Sequence, residues 1–254
     1  MLLPKITLSQ KRIINYIYSF RFLTISQLQQ LFNHKDSKTI REWLIDLRAK
    51  KYIDRIKDPK DVTKPIVFCL AQRAGHILKG DDGINENFLL WLYKEKKKEE
   101  RFIQRHLFIA DAYLYFLKNR EKGQEINFFT KQDLFGYEYF PDPLPDAYID
   151  VKERKGNTRY FFEYFDEKTP SGVIRYRVRY YFEYADISKW QKNTDNAPFP
   201  VILFVLPNER RKRHIAFYAK ALIEKSYNDL EFFLTIKENI KFAGKKVNIW
   251  QKVE

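Results

Sequence analysis

Two groups of residues in this chain have types and spacings that could do chemistry. The first is a pair of acids, Asp146 after Pro145, and Glu163 after sixteen intervening residues. Asp146 opens one apolar, strand-like run and Glu163 sits late in the next, so a hairpin would bring the two carboxylates together. Two carboxylates on adjacent strands can share a divalent ion, and their oxygen ligands suit magnesium. Cleaving a phosphodiester also calls for a lysine near the metal-bound water, at a position two residues after the second acid. Phe165 stands there. The nearest cations are Lys168 and, on the following helix, Arg175, Arg177 and Arg179. An arginine can hold phosphate, but it stays protonated and is a poor base. Metal ligation by Asp146 and Glu163 and an ordinary role as strand-edge acids both remain open at this stage.

The second group is basic and lies around SKTIREWLIDLRAKK, residues 37–51. Ile40, Leu44 and Leu47 recur at i, i+4 and i+7, the apolar stripe of an amphipathic helix. Lys38, Arg41, Arg48 and Lys51 lie off that stripe, free to meet phosphates or base edges. Lys35 and Ser37 stand at the helix entry, with Ser37 predicted as its cap. Lys38, Thr39 and Arg41 are placed to face bases, while the other cations supply a salt-dependent phosphate term. Lys57, Lys60 and Lys64 follow in a polar, proline-containing segment, 57–65, where they could reach a flanking backbone.

The elements that must position these residues can be read from caps and periodicity. Thr7 with Gln10 makes a capping box ahead of a helix near 8–20, and Thr24 with Gln27 repeats it ahead of a helix over 25–32. Leu23 and Leu28 are spaced as a hydrophobic staple. Residues 33–36 form a short polar turn before the basic helix, which completes a helix-turn-helix. Two strands, 52–56 and 66–70, then enclose the 57–65 tip as a wing, and 70–75 starts another helix.

The expected domains are a winged helix over 1–80, a linker and connecting helix over 81–100, and an α/β domain over 101–254. KEKKKEE, 94–100, reads as a solvated run with interleaved signs. A long helix over 101–120 precedes strands at 126–130, 147–151 and 160–165, with Gly156 to Thr158 as the hairpin turn. A helix over 171–185, a strand at 201–206, a helix over 208–225 and a strand at 230–236 complete the order. The fold class is therefore α+β.

Charge separates the two halves. Residues 1–80 hold 16 Lys+Arg against 6 Asp+Glu, which is +10 of the chain's +14. So concentrated a charge points to a polyanion partner for the first domain. The single cysteine, Cys69, excludes an internal disulfide and sits in an apolar run as a structural thiol. The four histidines show no ligand spacing, and there is no glycine-rich phosphate loop or nucleophile elbow. No apolar run approaches the roughly 20 residues of a bilayer span, and no signal peptide is visible, so a cytoplasmic protein without membrane contact is expected.

Taken in order, several phrases resemble the replication-relaxation family of plasmid and mobile-element proteins. They are Leu70-Ala-x-x-Ala-Gly75, His106-Leu-x-Ile-Ala-Asp111 and Leu144-Pro-Asp-Ala147. Glu163-Tyr-Phe-Asp166 and Arg177-x-x-Tyr180-x-x-x-Tyr184 follow. The resemblance implies a winged helix joined to a domain similar to the PD-(D/E)XK nucleases, with an αβββαβ core. It places Asp146 and Glu163 at the acidic positions and Arg177 at a basic helix position, which are the candidate catalytic residues. The phenylalanine at 165 and the arginine at 177 depart from a working nuclease pattern. The function expected is sequence-directed binding of double-stranded DNA in plasmid replication, relaxation or conjugal transfer, without catalysis and with no cofactor needed for binding. Replication or relaxosome proteins are the implied partners, and a homodimer is allowed. The alternatives are a magnesium-dependent endonuclease or nickase, and a winged-helix transcriptional repressor. Arg175, Arg177, Arg179 and the cluster Arg210-Arg211-Lys212-Arg213 are candidates for a second backbone-contacting surface.

Overall fold

The computed structural model describes residues 3–58, 61, 63–154, 156–242, 244 and 247–254. Contacts divide the chain into Met1–Leu114 and Tyr115–Glu254, later than the boundary expected at 80.

The first unit opens with α1 (Leu8–Phe20), β1 (Leu23–Thr24), α2 (Ile25–Leu31) and α3 (Ser37–Ala49), then β2 (Ile53–Ile56) and β3 (Val67–Leu70). Both capping boxes form: Gln10 N–H donates to Thr7 Oγ1 and Gln27 N–H to Thr24 Oγ1, each at 3.2 Å. A correction concerns α3. Its cap is Asp36, whose Oδ1 accepts from Lys38 N–H at 2.9 Å, and Ser37 is the first helical residue. Aspartate and serine cap about equally well, so sequence alone could not place the start to within one residue.

Ile40, Leu44 and Leu47 are buried, as are Ile13, Ile14 and Ile17 of α1, which leaves the polar side of α3 outward. Strands β1, β3 and β2 form an antiparallel sheet in that order. The three helices and the antiparallel β2–β3 pair thus follow one another in the order the sequence predicts.

A 3₁₀ turn (Gln72–Ala74), α4 (Gly75–Leu78), α5 (Glu86–Leu89), a second 3₁₀ turn (Leu92–Lys97) and α6 (Glu100–Asn119) follow. Phe22, Val67 and Cys69 pack with Ile103 and Leu107 of α6, which explains why this unit reaches beyond residue 80. Gln27 Nε2 also donates to Leu107 O and to Asp111 Oδ1, at 2.8 and 2.7 Å. Burial pushes the Cys69 thiol up to about 12, so it is protonated and inert at neutral pH.

The solvated reading of residues 94–100 needs correcting at one position. Glu95 is buried and accepts two hydrogen bonds from Arg21, at 2.9 and 2.5 Å. The Arg21 guanidinium also lies over the Phe102 ring, 4.5 Å from its centroid.

The second unit holds β4 (Glu125–Thr130), β5 (Ala147–Glu153), β6 (Gly156–Tyr164), α7 (Ser171–Asp186), α8 (Lys189–Asn193), β7 (Val201–Leu206), α9 (Glu209–Ile223), β8 (Phe232–Ile236), α10 (Lys237–Phe242) and β9 (Gln251–Lys252). The strands form one sheet in the order β4-β5-β6-β7-β8-β9. The β6–β7 and β7–β8 pairs are parallel and the rest antiparallel. From α6 onward the order follows the expected αβββαβ core, with the short α8 inserted between α7 and β7.

The predicted hairpin turn at 156–158 is displaced. Gly156, Asn157 and Thr158 already belong to β6, with Gly156 opposite Glu153. Ladder hydrogen bonds carry the polar residues into the strands beyond the apolar runs that predicted them. Helices α7 and α9 pack side by side and share one core with the sheet, built from Phe161, Ile174, Val178, Tyr181, Phe204, Ile215 and Phe232.

Candidate functional site

The acidic centre follows from strand register. Thr130 is opposite Ala147, and Ala147 is opposite Phe162. One step beyond the ladder, the same registers align Lys131, Asp146 and Glu163 in a row across three strands. Residues directly opposite on antiparallel strands share a face. This row lies on the face covered by α7, because Glu163 meets side chains of that helix.

Both carboxylates are buried, with Asp146 1% and Glu163 4% exposed. Lys131 Nζ lies 2.9 Å from Asp146 Oδ1, and Tyr164 N–H donates to Asp146 Oδ2 at 2.8 Å. Glu163 Oε1 accepts from Arg177 Nε at 2.6 Å and from the Tyr181 hydroxyl at 2.7 Å, with Arg177 Nη2 at 2.5 Å. Arg177 is itself 5% exposed, and its Nη1 is buried with no hydrogen-bond partner among the described residues. Burial alone would lower the Arg177 pKa, but the Glu163 carboxylate more than offsets this and holds it above the ordinary value. Burial likewise raises the Tyr181 hydroxyl well above the usual tyrosine range, leaving it a hydrogen-bond donor.

Sequence reasoning missed Lys131 and Tyr181. Lys131 comes from the end of β4, where only the strand register reveals it. Tyr181 follows Arg177 by one helical turn, a spacing that was visible.

These contacts bear directly on magnesium. Three of the four carboxylate oxygens already meet protein donors or cations, and the two negative charges face the buried Arg177 and the exposed Lys131. A magnesium ion takes about six oxygens at roughly 2.1 Å in near-octahedral geometry. Here it would enter beside the buried Arg177 charge and the exposed Lys131. Among the described residues, no group of three His, Cys, Asp or Glu is placed to hold a metal. As built, protein donors hold the pair, and the centre is a hydrogen-bonded ion-pair cluster rather than an open set of oxygen ligands.

The basic residues are arranged differently. Lys35, Lys38, Arg41 and Arg48 are exposed, while Ser37 and Thr39 are half-buried. Among the described residues none of the four cations has an ion-pair partner. Ile45, 69% exposed, stands among them on α3. The turn before the helix is held by Gln29 Nε2, which donates to His34 O and Lys35 O at 3.1 and 3.2 Å. Trp43 packs against Phe32 and His34, fixing α3 to that turn. On the hairpin, Lys57 is exposed. Lys64 bonds Asp58 at 2.9 Å and lies 3.7 Å from Glu100, so its charge is largely offset. Lys60 lies outside the described residues.

The replication-relaxation family matches residues 14–201, about three quarters of the chain. The chain belongs to the replication-relaxation family. Membership supports a role in plasmid replication or relaxation, as the sequence resemblance implied. The matched segment includes α3, Asp146, Glu163 and Arg177, so this member carries both the basic helix and the balanced acidic centre inside its family region. No curated protein sequence matches the chain. Among solved structures, one similar chain is the restriction endonuclease FokI, at 12% identity and a TM-score of 0.36. The likeness covers 91% of this chain and 43% of that one, so the chain spans less than half of the enzyme's length.

Proposed function

We propose that this protein is a sequence-directed, double-stranded DNA-binding protein of a plasmid or mobile element. It acts in replication, relaxation or conjugal transfer, and it does not cut DNA. The observation that carries the reading is the outward face of α3, where Lys38, Arg41 and Arg48 stand exposed without ion-pair partners among the described residues. Cations left unpaired on a helix-turn-helix suit a polyanion, and their phosphate contacts release counterions. Lys38, Thr39 and Arg41 read base edges, while Lys35, Ser37, Arg48 and Lys57 hold the backbone. Ile45 offers an apolar contact for a thymine methyl. The neutralised acidic centre supports the absence of cleavage: Arg177 occupies one carboxylate and Lys131 the other.

A nickase reading draws on Lys131, which supplies near Asp146 the lysine that position 165 lacks. It requires both cations to let go of their carboxylates before a metal can enter. A plain repressor accounts for α3 but gives the second unit no task.

The test is to titrate the protein with duplexes from the DNA flanking its own gene, in EDTA and in magnesium, alongside supercoiled plasmid. Binding in EDTA with supercoils left intact in both buffers is the expected result. Failure to bind any flanking duplex would overturn the binding assignment. Magnesium-dependent nicking that disappears in Asp146→Ala would overturn the non-catalytic one.

A further inference from the structure

The second unit carries a basic and aromatic surface that the duplex reading leaves unused. It lies on α7 and α9, which pack side by side. On α9, Arg210, Arg213 and Phe217 recur at i, i+3 and i+7, and Phe217 is 77% exposed. On α7, Tyr176 is about half exposed, and the Arg179 guanidinium lies 5.6 Å from its ring centroid. Arg175 reaches from α7 to the Tyr218 ring on α9, 5.9 Å away, so the two helices present one continuous face.

Not every cation expected on this surface is available. Arg177 is buried on Glu163, Arg211 donates to Thr169 O, and Lys212 bonds Glu209. Arg179 pairs with Glu183 at 3.4 Å. Arg175, Arg210 and Arg213 are exposed and have no ion-pair partner among the described residues.

We infer that this face binds single-stranded DNA. Arginines without counter-charges suit a phosphate backbone. Exposed aromatic rings between them suit unstacked bases, whose faces a duplex keeps hidden. A surface meant only for duplex backbone has no use for an exposed phenylalanine. Replication and relaxation both produce unpaired strand, so this face would hold a strand the duplex-reading helix cannot. The inference stands independently of the assignment of α3.

The test is fluorescence anisotropy of the full chain with labelled oligo-dT of ~20 nucleotides, a length that spans a typical site. A flanking duplex and oligo-rU of equal length are measured in parallel. Phe217→Ala and Tyr176→Ala are each expected to weaken oligo-dT binding about tenfold. Arg210→Ala with Arg213→Ala is expected to lower its salt dependence by up to about two slope units times the single-strand factor of roughly 0.7. All four side chains point to solvent, so the fold is retained, and duplex affinity should stay at the intact protein's value. Lys38→Ala should show the reverse pattern. No binding of oligo-dT, equal loss of both ligands in the Phe217 variant, or tighter binding of oligo-rU would each overturn the proposal.

Discussion

Arg177→Ala is expected to destabilise the second unit by about 3–5 kcal/mol, because it strands a buried carboxylate without its cation. Glu163 is 4% exposed, and Arg177 supplies it with one hydrogen bond from Nε and a close ion-pair contact from Nη2. Tyr181 alone would remain on Glu163 Oε1, one neutral donor against a full charge. The double change Glu163→Leu with Arg177→Met should cost far less, since replacing both members of a buried pair by apolar groups is often close to neutral. Urea denaturation of the three proteins, followed by circular dichroism, measures the difference. Equal losses in the single and double variants would mean that the cluster is not the ion-pair lock described above. The same comparison bears on catalysis, because Glu163 can meet a metal only if Arg177 lets it go, and the single variant measures what stranding that carboxylate costs.

The second large effect is expected at α3. Removing Arg41 should weaken specific duplex binding by about 1–3 kcal/mol and relax preference at the bases it reads. Lys38→Ala should act similarly, and Arg48→Ala, a backbone contact, should weaken all duplexes alike and reduce the salt slope by about one unit. The three side chains are exposed, so thermal stability should hardly move. Titrations at several salt concentrations with a flanking duplex and an unrelated one separate the two effects. Unchanged affinity for both duplexes in all three variants would remove α3 from the interface.

Local signals in the sequence were sufficient for much of this architecture. Thr7 and Thr24 form the capping boxes their spacing predicts, and the Ile40, Leu44, Leu47 stripe packs inward, because both depend only on neighbours within a few residues. The apolar runs located the central strands for the same reason. Features that depend on register were hidden. Lys131 meets Asp146 only once β4 and β5 are aligned, and no local pattern fixes that alignment. Glu95 looks like any other charge in its run until Arg21 arrives from 74 residues earlier.

Arg177 is the instructive case. It sits between Ile174, Val178 and Tyr181, on the stripe that α7 buries, so its burial was legible from the helical period. A buried arginine requires an acid, and Glu163 was already in view. Taking it as a phosphate ligand overlooked that requirement.

The claim at the centre of this account is that the outer face of α3 lies against a double helix. It can be tested by placing the photo-crosslinker p-benzoylphenylalanine at position 45, in the middle of that face, and at the fully exposed Tyr227 in the second unit as a control. After irradiation with a flanking duplex, the protein carrying the probe in place of Ile45 should become covalently joined to DNA, and the Tyr227 control should not. A stable complex in which position 45 yields no adduct would contradict the account.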